Sequence, residues 1–218
     1  MASKLFLLTT VELDPVTTCL SKWSKKLEEE AERQRFDVVN LHQENATRKN
    51  LESRIESRKP SLLVFNGHGL SDRIQGFNEP LLIAGENEGV TNGLLVYART
   101  CSCVSKLGES CVKQGVKAFV GYLGLFFIPL DGLKAAHPFE DELSAPIMRT
   151  SNLIVEVLLK GNSVRDAIER SNQHAEKEIE YVKSSNFHDA RLAPIVIGCL
   201  KLNQKALKAL GDANAKVS

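Results

Sequence analysis

Short apolar runs alternate with amphipathic stretches along most of this chain. Residues 5–8 (Leu-Phe-Leu-Leu) are an uninterrupted apolar run of strand length. Residues 17–35 follow, with Leu20, Trp23, Leu27 and Ala31 at helical spacing and dense charge on the opposite face. Residues 36–41 contain Val38-Val39 and predict a second strand. Residues 47–57 predict a mostly solvated helix with Thr47 as its N-cap, stopped by Lys59-Pro60. Three further runs, 61–65, 93–98 and 115–123, are apolar almost throughout, as in strands covered on both faces. Residues 72–92, rich in Gly, Asn and Glu around Leu81-Leu82-Ile83, predict a small hairpin and loop. Helical patterns recur at 104–114, 145–160 and 163–183. The last two are separated by Gly161-Asn162-Ser163, a C-cap glycine and an N-cap serine with Asp166 three residues on. Residues 192–201 (Leu-Ala-Pro-Ile-Val-Ile-Gly-Cys-Leu-Lys) predict a last strand, and the tail from Asn203 is polar after a helical turn.

Strands that alternate with helices in this way predict an α/β fold, a mostly parallel sheet with helices on both faces. No repeat or linker divides the chain, so one domain is expected over residues 1–218. Residues 124–145 have no periodicity, and a loop of that length inside a compact domain is commonly functional. Ligands of such sheets bind beyond the carboxyl ends of the strands. The residues to examine are therefore those that follow each apolar run.

Composition narrows the function classes. A chain of 218 residues, 43% apolar and 25% charged, can bury a core without disulfides. With 28 basic and 27 acidic side chains the net charge is +1, and no field favours nucleic acid or an anionic membrane. Five cysteines, an odd number in a long chain, argue against a disulfide framework. The first apolar run is too short for a secretory core or a membrane span, so a reducing, cytoplasmic setting is expected. No Cys/His spacing matches a zinc site, and no phosphate loop or dinucleotide glycine pattern is present, so neither metal nor cofactor is expected.

Two of the buried runs end in reactive residues. One continues Asn66-Gly67-His68-Gly69, the other Arg99-Thr100-Cys101-Ser102-Cys103. If their strands are parallel neighbours, His68 and Cys101 emerge at the same sheet edge. A free thiol, with a pKa of about 8.5, is a poor nucleophile until a neighbouring histidine takes its proton. The N–H groups of Gly69 and Cys101 would be placed to hold an oxyanion. Either residue alone is more commonly structural, since buried free cysteines and single histidines abound. The pair, at the ends of successive strands and beside glycines, is the specific signal. Cys103 is a rival nucleophile in the first turn of the following helix. Asn66 is a candidate to orient His68. His137, His174 and His188 read as surface residues, and Cys19, Cys111 and Cys199 as packing residues.

On these residues, His68-Gly69 after one strand and Thr100-Cys101 after the next, the sequence resembles the caspase-like (clan CD) cysteine peptidases, closest to bacterial CHAT and gingipain-like members. The helix and strand over 104–122 fit the same pattern, and the resemblance extends from about Leu5 to Leu200. It implies a caspase-like three-layer sandwich and a cysteine endopeptidase acting on a protein or peptide substrate, with control by a protein partner. It also implies that Arg99, two residues before the cysteine, lines the S1 pocket and selects an acidic P1 residue. A salt-bridged Arg99 is the plainer alternative, and Asp131, Glu140, Asp141 and Glu142 are acids that could pair with it or line the cleft. The sequence departs from the family in lacking a glycine directly after Cys101. Two other functions stay open: an inactive caspase-like module that binds a protein partner at the same edge, and a flavodoxin-like ligand-binding domain.

Overall fold

The computed structural model describes residues 4–134, 137–184, 186–188 and 190–217. The chain begins with strand β1 (Lys4–Thr10) and enters α1 (Pro15–Arg33) through a capping box. There the Asp14 carboxylate accepts from the Thr17 N–H at 2.9 Å, and the Thr17 hydroxyl accepts from the Asp14 N–H at 3.0 Å. Strand β2 (Phe36–His42) and helix α2 (Arg48–Arg58) follow, the latter capped by Thr47. After β3 (Leu62–Asn66) come three short strands, β4 (Gly69–Leu70), β5 (Arg73–Gln75) and β6 (Pro80–Ile83). They form a separate three-stranded sheet where the sequence predicts a hairpin. Strand β7 (Leu95–Arg99) leads into a π-helical turn (Val104–Gly108) and the short α3 (Glu109–Lys113), replacing the single helix expected over 104–114. Strand β8 (Ala118–Tyr122), α4 (Ala145–Leu159), α5 (Val164–Lys183), α6 (Ala193–Ala206) and β9 (Leu207–Gly211) complete the order. Ser163 and Asp166 form the expected capping box of α5.

The main sheet has six strands in the order β2-β1-β3-β7-β8-β9. The pairs from β2 to β8 are parallel, and β9 runs antiparallel to β8. Alternation along each strand divides the core in two. Phe6, Leu8, Leu62, Val64, Tyr97 and Val120 face a layer that includes α1, α4, α5 and α6. Leu5, Leu7, Leu63, Phe65, Val96 and Phe119 face α2, the small sheet and the segment after β7. The sheet is thus the middle of three layers.

One expectation fails outright. Residues 192–201 are not a strand but most of α6. Ile195, Val196 and Ile197 favour β structure, yet Pro194 sits where a helix tolerates it, in the first turn. Only one face of α6 is buried, through Val196, Leu200 and Asn203, a helical i, i+4, i+7 series. The edge strand is β9, hidden in a segment whose burial is partial.

Candidate active site

Three strand ends meet at one place. The chain runs from β1 outward to β2 and then crosses to β3, so the sheet has its topological switch point between β1 and β3. Asp14 follows β1, His68 follows β3 and Cys101 follows β7. Strands β3 and β7 are parallel neighbours with Asn66 opposite Arg99. His68 and Cys101 therefore each lie two residues past a paired position, at the same edge.

Gly69 fixes the approach of the two segments. A Cβ built on it would lie 2.6 Å from Thr100 Oγ1 and 2.8 Å from the Cys101 carbonyl oxygen. Only a residue without a side chain lets the two segments come this close. Ser102 then turns the chain with φ +57°, a left-handed conformation that a non-glycine residue adopts at a cost of about 1–3 kcal/mol. The turn is held because the Ser102 N–H donates to the Gly124 carbonyl at 2.8 Å.

The Cys101 thiol is half-buried, and its Sγ accepts from the Phe126 N–H at 3.4 Å. The segment carrying that donor is anchored in turn by Asn203 on α6. Its Oδ1 accepts from the Phe127 N–H at 2.9 Å, and its Nδ2 donates to the Phe127 carbonyl at 2.8 Å. The Phe126 ring packs on Tyr122 with centroids 4.5 Å apart.

The rival Cys103 is in a different environment. It is fully buried, and desolvation pushes its thiol up to about 11. Burial also raises Cys19 to about 11 and Cys111 to about 12. These three are core thiols, disfavoured as thiolates and out of reach of a substrate.

Sequence reasoning missed the partner of His68. The imidazole Nε2 lies 2.5 Å from Asp14 Oδ2, and the ring is half exposed. Burial works to raise the Asp14 carboxyl, but the Thr17 N–H and His68 outweigh it and hold it below the ordinary value. The available signal was an Asp-Pro step directly after a strand that neighbours β3. Asn66 does not orient His68. Its Nδ2 donates to the Thr9 carbonyl, and its Oδ1 accepts from Arg99 Nε at 2.8 Å.

Arg99 does not line a pocket. It is 0% exposed. Besides Asn66, its guanidinium donates to Ser151 Oγ, Asn152 Oδ1, Ser24 Oγ and the Leu20 carbonyl. These partners are neutral, and burial works against its charge. A substrate carboxylate has no access to it, so the expected acidic-P1 contact is not formed by this residue. The loop acids are engaged elsewhere: Asp141 caps the turn before α4, Glu140 pairs with Lys134 and Glu142 with His188. Among the described residues no group of three or more His, Cys, Asp or Glu is placed to hold a metal ion, and no helix is long and apolar enough to cross a membrane.

With this geometry in place, solved structures supply the comparison. The structure is similar to the Arg-specific cysteine proteinase gingipain R, with a TM-score of 0.62 at 12% identity over 98% of this chain. The fold is caspase-like. A complex of the Porphyromonas gingivalis gingipain pro- and mature domains matches with a TM-score of 0.59 at 12% identity over 98% of the chain. A third structure, described only as a protease, matches at 0.60 and 15% identity over 99%. The chain spans about half the length of each, covering 47%, 48% and 49% of them. No protein-family model matches the sequence, and no curated protein matches it. At these identities the likeness establishes the fold, while the chemistry rests on the residues of this chain.

Proposed function

We propose that this chain is a cysteine endopeptidase whose nucleophile is Cys101 and whose base is His68. The observation that carries the proposal is the close approach of Gly69, the residue after His68, to Thr100-Cys101, set by the β3–β7 register and by the missing side chain of Gly69. The gingipain fold, built around a thiol proteinase site in those proteins, supports it.

Asp14 holds the imidazole through Nε2, which leaves Nδ1 for the thiol. His68 takes the Cys101 proton as Sγ attacks the scissile carbonyl carbon. The oxyanion is held by the Gly69 and Cys101 N–H groups. As the carbonyl re-forms, the C–N bond breaks and His68 delivers the proton to the leaving amine. Water then cleaves the thioester, giving up a proton to His68 and returning the thiol. The chain's role as regulated protease or as target of a covering partner follows the same reading, since one neighbour is a complex of a protease with its pro-domain.

The test is cleavage of an unfolded protein substrate by wild type, Cys101→Ala and Cys103→Ala. Cleavage is expected to vanish in the first variant and persist in the second. Activity retained in Cys101→Ala overturns the assignment.

A further inference from the structure

We infer that Leu70 and Leu125 form the walls of a subsite for an apolar side chain of the substrate, on either side of Cys101. The inference rests on the peptidase reading and names the chemistry of what that site accepts. The sheet order β3-β7-β8 puts Cys101, at the end of β7, between the segments that leave β3 and β8. Leu70 directly follows Gly69, whose backbone lies against Thr100 and Cys101. Leu125 sits between Gly124, which accepts from Ser102, and Phe126, which donates to the Cys101 sulfur. Both leucines are therefore tied to the nucleophile turn by their immediate neighbours.

Their exposure is the unusual part. Leu70 is 61% exposed and Leu125 is 56% exposed, although the backbone around each is pinned. Single exposed leucines are ordinary, whereas two that flank a reactive thiol on rigid segments make an apolar rim with a defined centre. The Phe126 ring turns inward onto Tyr122 and leaves Leu125 at the surface. Of the charged groups on the adjoining segments, exposed Lys106 lies beside Asp72, and the others are engaged within the protein. Asp14 is on His68, Asp72 and Arg73 make a two-pronged pair at 3.0 and 2.9 Å, and Arg99 is sealed in the core. The rim thus offers dispersion and desolvation to an apolar side chain, beside an Asp72–Arg73 pair that neutralises itself.

The experiment uses three peptidyl acyloxymethyl ketones that differ only in the residue next to the reactive carbon: Leu, Arg or Asp. The Leu probe is expected to label Cys101 about 10-fold faster than either charged probe. Leu125→Ser and, separately, Leu70→Ser should remove that advantage, each probe's rate being taken relative to alkylation of Cys101 by iodoacetamide in the same variant. An Arg or Asp probe that reacts as fast as the Leu probe overturns the subsite. So does an unchanged ratio in both variants, or a Cys101 that reacts with iodoacetamide but with none of the three probes. Failure of the peptidase reading looks different: iodoacetamide then modifies Cys101 no faster than the half-buried Cys199.

Discussion

Strands β3 and β7 carry two polar layers, one above the other, and the layers behave in opposite ways. The lower one pairs Asn66 with Arg99. It is buried, and the contacts of Asn66 and Arg99 run to fixed protein groups on β1, α1 and α4. The upper one, two residues along each strand, holds His68 and Cys101. It is half open, with a thiol that accepts from a backbone N–H and a histidine held by a carboxylate. A strand period of two puts both layers on related positions of the same pair, so the difference comes from what covers them. Burial with matched donors makes a polar layer structural. Partial exposure beside a strained turn, at Ser102, leaves the other layer open to molecules from outside. The most prominent charge near the thiol, Arg99, thereby belongs to the scaffold.

The largest effect that separates the layers is at Cys101. Its replacement by alanine should lower peptide cleavage by about 10⁴-fold or more with no loss of stability, read from kcat/KM and a urea midpoint. Arg99→Met should do the reverse. It strands the acceptors on Asn66, Ser24 and Asn152, each worth about 1–3 kcal/mol when unpaired, and the midpoint should fall by about 3 kcal/mol or more. The ratio of cleavage after Asp and after Asn should not change in protein that remains folded. Gly69→Ala joins the two layers' fates. Its new methyl meets the Thr100 side chain and the Cys101 carbonyl, and activity should drop about 10²-fold or more because the oxyanion donors shift.

Asp14→Asn keeps an N-cap but weakens the hold on His68, and kcat should fall by about 10-fold, at the low end for an interaction that orients a catalytic base. The same variant tests a pH dependence. A carboxyl held below its unfolded value stabilises the folded chain above that value and ceases to do so as pH falls through the lowered one. Wild type should therefore lose more stability than Asp14→Asn between about pH 5 and pH 3, measured by urea titration at each pH. The smallest effect belongs to Thr100, whose buried hydroxyl finds no hydrogen-bond partner among the described residues. Thr100→Val should leave stability unchanged or raise it by about 1 kcal/mol. A clear destabilisation would mean that this hydroxyl belongs with the satisfied lower layer.

Much of this was legible in order and spacing. The apolar runs at 61–65 and 93–98 announced two buried parallel strands, and the residues after them were the ones to inspect. The Ser163/Asp166 cap was readable because its contacts are local. What sequence could not supply were partners brought from afar. Asp14 reaches His68 only because β1 and β3 are neighbours. Arg99 is neutral-caged because α1 and α4 close over it, and no local pattern distinguishes that from a pocket-lining arginine. Residues 193–206 misled through β-branched composition, where burial of a single helical face decided the outcome.

The grip of Asn203 on Phe127 also sets an order of events when the chain is made. His68, Gly69 and Cys101 leave the ribosome well before Asn203, which stands 76 residues downstream of the Phe127 it holds. Strand β9, which seals β8 beside the same segment, comes later still. Because folding during synthesis proceeds from the N-terminal side, the segment around Phe127 stays without its Asn203 clasp until α6 has docked. A nascent chain therefore carries His68 and Cys101 before it carries the clasp on the segment that donates to the Cys101 thiol.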